Sequence, residues 1–282
     1  MLTSMTCPRP HPIGEAPTLR SSVEDAALQR VASMLLTAGT ADAVLPPTAL
    51  YNEGWMLRLV LHHFSRDSEL GHPLAFAAAA QWRSEVLLPS QFKARVRGDP
   101  LAEAWTHADG VLGHLARKGG RGDVRLSETA RQFVVVEAKM FSGLSAGTTR
   151  APTFNQAARN VACIAEVLHL AGRSATELDD LGFVLLAPRE KIDAGVFGSL
   201  CDKSQITSAV RSRVDTYGGA KEEWFNRHFL PTLSALRIDV LSWEDQITSI
   251  ATRNADAAAS LQAFYDRCLT FNRRGGTAFP SD

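Results

Sequence analysis

A glutamate and a lysine stand two residues apart at the end of an apolar run, as Glu137 and Lys139. The run, Phe133 to Val136, contains three β-branched valines and predicts a buried strand. Because residues i and i+2 of a strand point to the same face, the two charged side chains should lie side by side. Buried charges are paired, solvated or bound to a metal, since an isolated charge is too costly to bury. The segment 137–139 is therefore a candidate active site.

Two further carboxylates are candidates to join this pair. Asp109 lies on the strand predicted before the 133–140 strand, and Glu53 lies on a helix predicted earlier in the chain. Carboxylates at a sheet edge suit a hard divalent cation, which keeps several of its waters when it is Mg²⁺. Such a cation activates a water and neutralises charge on a phosphate. Lys139 could orient the attacking water or stabilise the pentacovalent phosphate, because an ammonium is a compact point charge.

Hydrophobic periodicity predicts the elements that position these groups. Residues 105–112 and 133–140 are predicted to form a long hairpin with a basic tip. Further strands are predicted at 85–92, 181–187 and 237–243, and helices at 21–37, from Thr48 to beyond Phe64, and at 154–171, 203–217, 221–236 and 244–270. The pattern indicates an α/β fold with a central mixed β-sheet of four to five strands flanked by helices.

Composition predicts one domain with a large core. The chain has 282 residues, of which 45% are apolar, and no linker clearly divides it. Residues 1–20 are polar and proline-containing and predict a mobile tail. Residues 21–282 predict a single domain that ends in a helical region at about 244–270.

Charge and cysteine content exclude several classes of protein. Lysine plus arginine and aspartate plus glutamate balance at 30 each, so any nucleic-acid surface must be a local patch. No apolar run reaches the roughly 20 residues that span a bilayer, and the N-terminus lacks the apolar segment of a signal peptide. The four cysteines lie far apart without a CxxC pair, which argues against a zinc knuckle and fits reduced thiols. We therefore expect a cytoplasmic protein without a membrane partner.

In their order along the chain, the candidate residues resemble the motif of the PD-(D/E)xK nuclease superfamily, which has the restriction-endonuclease-like fold. The matching positions are Glu53 on a first helix, Asp109 on a second strand, Glu137-Ala138-Lys139 on a third strand and Gln156 on the next helix. The resemblance covers roughly residues 48–187. Ala108 stands where the motif has proline, a position that is loose in many members. The 28 residues from Asp109 to Glu137 suit a hairpin.

The resemblance implies a divalent-metal-dependent phosphodiesterase, most simply a DNA endonuclease that uses Mg²⁺ with Mn²⁺ as a substitute. Asp109 and Glu137 would bind the metal with assistance from Glu53. Lys139 would position the nucleophile, and Gln156 would help to orient the site. Residues 21–282 would then form a single nuclease-like domain whose partner is nucleic acid, with DNA expected. A homodimer or a partner protein remains open.

Other interpretations of these residues remain open. Glu137 and Lys139 could form only a same-face salt bridge, worth about 0–1 kcal/mol. Asp109 could belong to a turn with Gly110, while Glu53 and Gln156 could be surface groups. At the level of function, the alternatives are a catalytically inactive nuclease-fold protein that binds nucleic acid, and an interaction domain that docks through its C-terminal helix.

Several charged residues outside the motif are weaker candidates. Glu85 could be an additional acidic ligand, although a surface or paired charge is the simpler interpretation. Three groups of basic residues could contact phosphates, and we expect one of them to do so. They are Lys93, Arg95 and Arg97; Arg117, Lys118, Arg121 and Arg125; and Arg150 and Arg159.

Overall fold

The computed structural model describes residues 22–94, 96–103, 105–116, 123–147 and 151–272, with the side chains of residues 22–24 left out. Within these ranges the strands form one five-stranded sheet in the spatial order β1-β2-β3-β4-β5. They are β1 (Gln81–Leu88), β2 (Thr106–Gly113), β3 (Gln132–Ala138), β4 (Asp180–Ala187) and β5 (Arg237–Ser242). Strands β1, β2 and β3 pair antiparallel, whereas β3, β4 and β5 pair parallel. The expected α/β fold with a mixed sheet is confirmed.

Helices cover both faces of this sheet. They are α1 (Ser22–Leu36), α2 (Glu53–Arg66), α3 (Gln156–Leu170), α4 (Arg189–Asp193), α5 (Lys203–Asp215), α6 (Glu222–Trp224), α7 (Leu230–Ala235), α8 (Trp243–Ala251) and α9 (Ala255–Asn272). One apolar cluster joins one face of the sheet to α3 and α5, and a second joins the other face to α2, α8 and α9. In the described residues no helix has the length and apolar character needed to cross a membrane.

Strand β3 is buried along its whole length. Both faces of the sheet are covered there, which explains its continuous apolar run without a polar alternation. Phe133 and Val135 pack in the α3 cluster, while Val134 and Val136 pack in the α2 cluster. By the same alternation, the side chains of Glu137 and Lys139 point towards α3.

The first two strands are irregular at Glu85 and Asp109. Glu85 has a φ of 52°, in the left-handed region that side chains other than glycine rarely adopt. The β1–β2 register pairs Ser84 with Gly110 and Val86 with Ala108, but Glu85 and Asp109 between them are not a ladder pair. The β2–β3 ladder ends at the Gly110–Val136 pair. The strands therefore separate at Asp109, which neither ladder pairs.

Gly110 allows α2 to approach the sheet closely. A Cβ at this position would lie 3.0 Å from the side chain of Leu61 and 3.1 Å from that of Leu57. Asp109-Gly110 therefore lies within a strand under a helix, so the interpretation of this pair as a turn is wrong.

Several predicted boundaries differ from the structure. Helix α2 begins at Glu53, not at Thr48, because a 3₁₀ turn at Pro47–Ala49 precedes it and Asn52 caps it by accepting a hydrogen bond from the backbone N–H of Trp55. Strand β1 begins at Gln81, four residues before its predicted start.

The C-terminal region also differs from its prediction. The helix predicted at 244–270 is two helices, α8 and α9, and Asn254 caps α9 through the backbone N–H of Ala257 at 2.9 Å. The helix predicted at 221–236 contains a π-helical turn, Phe225–Phe229, between α6 and α7. The N-terminal tail, most of the basic hairpin tip, Arg95 and Arg150 lie outside the described residues.

Candidate metal and nucleic-acid site

The carboxylate of Glu137 is fully buried and held by three side-chain donors. Its Oε1 accepts a hydrogen bond from Lys139 Nζ at 2.5 Å and another from Gln156 Nε2. Its Oε2 accepts from Asn160 Nδ2 at 3.0 Å. The same-face arrangement of Glu137 and Lys139 predicted from their spacing is therefore present, and Gln156 joins them.

Asp109 reaches the same place from β2. Its Oδ2 accepts a hydrogen bond of 2.8 Å from the backbone N–H of Ala138, the residue between Glu137 and Lys139. This bond joins the two strands just beyond the last pair of the β2–β3 ladder. The carboxylate is thus tied directly to the Glu137-Ala138-Lys139 segment, and the two strand ends form one site.

Burial, and after it the negative charge of Asp109, raises the pKa of Glu137 to about 7. Lys139 and the Asn160 amide oppose this shift, because both stabilise the ionised form. The pKa nevertheless stays raised, and two carboxylates beside one ammonium leave the site short of positive charge. A divalent cation would correct that deficit and favour the ionised carboxylate.

The backbone of Lys139 is fixed on both sides. Its N–H donates to the carbonyl of Leu186 on β4 at 2.8 Å, and its carbonyl accepts from the indole N–H of Trp243 at 2.9 Å. Trp243 is fully buried at the start of α8. These bonds hold the end of β3 rigid where the functional side chains leave it.

Helix α3 supplies the amide donors. Asn155 caps its first turn by accepting from the backbone N–H of Ala158 at 3.0 Å, which places Gln156 at the first helical position. Asn160 lies four residues later on the same face of the helix. Gln156 also accepts from the backbone N–H of Ser145 at 3.3 Å, which ties the loop after β3 to the site.

Sequence reasoning missed Asn160. It is 1% exposed, and its Oδ1 has no hydrogen-bond partner among the described residues. Asparagine is a poor helix former, so its presence one turn after Gln156 in an apolar helix was the available signal. Its amide holds Oε2 of the Glu137 carboxylate, whereas Lys139 and Gln156 hold Oε1.

The acidic residues near the start of α2 form a different arrangement. Glu53 is the first residue of α2, and among the described residues no hydrogen bond or ion pair joins it to Asp109, Glu137 or Lys139. Glu85 pairs with Arg58 at 3.4 Å with its side chain 58% exposed. Glu85 is therefore a paired surface charge, which was the simpler of its two interpretations from the sequence.

The donor set fits a hard divalent cation. Mg²⁺ is usually held by one or two carboxylates, with waters and substrate phosphates completing its shell, and Asp109 and Glu137 supply two. Within the described part of the chain, no group of three or more histidine, cysteine, aspartate or glutamate residues is arranged to hold a metal ion. The two carboxylates thus suit Mg²⁺ or Mn²⁺, which keep water ligands, better than a metal ion whose ligands all come from the protein.

Comparison with known proteins does not place the chain in a family. A scan against protein-family models, a search of curated proteins and a search of solved structures each found no match.

Proposed function

We propose that the protein is a divalent-metal-dependent phosphodiesterase that cleaves nucleic acid, with DNA as the expected substrate and endonucleolytic cleavage as the expected reaction. The observation that carries this proposal is the meeting of Asp109, Glu137 and Lys139 where β2 and β3 separate. The order of elements supports it, because a helix, three antiparallel strands, a helix and a parallel strand follow one another as the resemblance implies.

The residues have separate roles in this proposal. Asp109 and Glu137 would hold the cation, which when bound supplies an activated water and neutralises charge on the phosphate. Lys139 would orient the attacking water and stabilise the developing negative charge. Gln156 and Asn160 keep the Glu137 carboxylate in one orientation through hydrogen bonds to its two oxygens. Glu53 would act from the start of α2, outside this hydrogen-bonded group.

Plasmid cleavage in Mg²⁺ or Mn²⁺ tests the proposal. We expect nicking or linearisation by the wild-type protein and its loss in Lys139→Met and Asp109→Asn. Lys203→Met is the matched control, because Lys203 lies on α5 and bonds the carbonyl of Ser234 at 3.1 Å. Full activity in Lys139→Met or Asp109→Asn would rule out the proposed site.

A catalytically inactive protein of the same fold that binds nucleic acid is the second candidate. One observation favours it: three side-chain donors of the protein already bond the Glu137 carboxylate. Calorimetric titration with Mg²⁺ separates the two candidates. An enzyme should take up the metal with an affinity that Glu137→Gln weakens, whereas an inactive binder should show neither uptake nor cleavage.

Docking of a partner through the C-terminal helix has less support. Helix α9 buries Leu261, Tyr265 and Cys268 against the protein's own core. Arg267 donates to the hydroxyl of Tyr51 at 2.6 Å, close to the start of α2. The apolar face of this helix is therefore already used within the chain.

A further inference from the structure

Trp105 is exposed beside the candidate site. It is 64% exposed immediately before β2, whereas Trp224 and Trp243 are buried. The ammonium of Lys93 lies 4.5 Å from the centroid of its ring. Trp105 precedes Asp109 by four positions, and an extended chain covers about 13 Å in that length. The indole therefore lies within a few nucleotides of a bond cleaved at Asp109.

Arg159 lies between Gln156 and Asn160 on α3. Its Nη2 donates to Ser145 Oγ at 2.6 Å, and its Nε is buried without a hydrogen-bond partner among the described residues. No carboxylate in the described ranges lies within ion-pair distance of it, in contrast to the nine arginines that have such partners there. A guanidinium that keeps spare donors next to the reacting groups is suited to a phosphate.

The Lys93–Trp105 pair lies close to α3, the helix that carries Arg159. Two residues before Lys93, Gln91 Nε2 donates a hydrogen bond of 3.1 Å to Glu166 Oε2 on α3. The chain at Lys93 is therefore tied to α3, and Trp105 lies under the Lys93 ammonium.

These groups favour a single strand over a duplex. An exposed indole stacks on a base whose face is free, and in a duplex both faces of each base are covered by neighbouring bases. The balance of 30 basic and 30 acidic residues also gives the chain no overall positive field for a duplex backbone.

We propose that this surface binds single-stranded DNA, with Arg159 holding a backbone phosphate and Trp105 stacking on an unpaired base. The inference rests on the proposed function in one respect, because that function places the cleaved bond at Asp109. Binding itself does not require a metal, so it can be measured separately from cleavage.

Fluorescence anisotropy in EDTA, with a labelled oligothymidine and a duplex of equal length, tests the inference. The wild-type protein should bind the single strand more tightly. Trp105→Ala should weaken single-strand binding about tenfold, the order of one lost stacking contact, while Trp105→Phe should retain most of it. Trp55→Ala is the matched control, because Trp55 also lies under a cation, Arg58, but on α2 at the opposite face of the sheet.

Salt titration adds an independent measurement for Arg159. Arg159→Gln should weaken binding and reduce the slope of log affinity against log salt by about 0.7, the value for one phosphate contact on a single strand. Circular dichroism establishes that each variant is folded. Equal or tighter binding of the duplex, with Trp105→Ala unchanged, would overturn the inference.

Cleavage assays distinguish its failure from that of the proposed function. Trp105-dependent binding of the single strand without cleavage in any divalent metal would support the inference and refute the enzyme. Cleavage of duplex DNA that is unaffected by Trp105→Ala would support the enzyme and refute the inference.

Discussion

Glu137 with Lys139 and Glu103 with Arg213 are two pairs in which a buried carboxylate lies beside a cation. The nitrogen–oxygen distances are 2.5 Å and 2.9 Å, and both carboxylate side chains are at most 2% exposed. Burial is the largest cause of a raised pKa for each. By burial and by the pairing of opposite charges alone, the two pairs are alike.

They differ in what surrounds them. Arg213 presents a planar guanidinium that also donates to the carbonyl of Leu101 and to the hydroxyl of Tyr217, and its pair with Glu103 contains equal charges. Arg159 then adds positive charge near Glu103. Glu137 instead faces a second carboxylate, that of Asp109, whose charge acts in the opposite direction. A pair with balanced charges serves structure, whereas a pair short of positive charge is suited to bind a cation.

A Glu→Gln substitution tests both pairs, and we expect the larger loss of stability at Glu103. Glu103→Gln leaves the buried guanidinium of Arg213 without its counter-charge, so the free energy of unfolding should fall by about 3–5 kcal/mol. Chemical denaturation followed by circular dichroism measures it. The double variant Glu103→Gln/Arg213→Met should recover part of the loss, and no loss in the single variant would contradict a structural role.

At the other pair, Glu137→Gln should remove activity without removing stability. Cleavage should fall by about 100- to 1,000-fold, the order seen when one electrostatic group of a catalytic site is lost. Stability at pH 8 should not decrease by more than about 1 kcal/mol, because the substitution removes a buried charge that the fold disfavours. Cleavage kinetics and denaturation on the same sample measure both. A Glu137→Gln variant that loses stability but retains its specific activity would show that Glu137 serves structure and not catalysis.

The raised pKa of Glu137 predicts how stability depends on pH. Its value of about 7 in the folded protein exceeds its ordinary value of 4.5, so the folded state binds the proton more tightly. The resulting stability is complete below pH 4.5 and is lost as the pH rises through about 7, by roughly 3 kcal/mol. Thermal unfolding in EDTA at a series of pH values measures this slope.

Two controls sharpen the pH experiment. Glu137→Gln should lose this component of the slope, and Mg²⁺ should reduce it in the wild-type protein, because a bound cation favours the ionised carboxylate. An identical slope in the variant would show that other groups cause it.

The smallest expected effect is at Asn160. Asn160→Leu removes a hydrogen bond that stabilises ionised Glu137, so the pKa of Glu137 should rise further. Activity should fall about tenfold, and the acid limb of the pH–activity profile should move to higher pH. Gln246→Met is the control, since Gln246 is a buried amide on α8 that bonds the carbonyl of Ser242. A uniform loss of activity with an unchanged profile would indicate a structural role alone.

The sequence predicted the fold as far as strong periodicity extended. The apolar runs of β3 and β4 and the amphipathic pattern of α3 lie close to their predicted positions, because burial on both faces requires continuous apolar residues. The start of α2 and the division between α8 and α9 were missed. Both depend on asparagine caps, Asn52 and Asn254, whose hydrogen bonds override weak helix propensity.

The sequence by itself determined that Glu137 and Lys139 share one face at the end of a buried strand, since the side-chain period of a strand is fixed by covalent geometry. Only the tertiary structure decided which distant groups join them. The separation of β2 from β3 brings in Asp109, and the packing of α3 on the sheet brings in Gln156 and Asn160. It also left Glu53 outside this hydrogen-bonded group. Contacts between distant residues depend on how strands diverge and helices pack, which local sequence patterns do not specify.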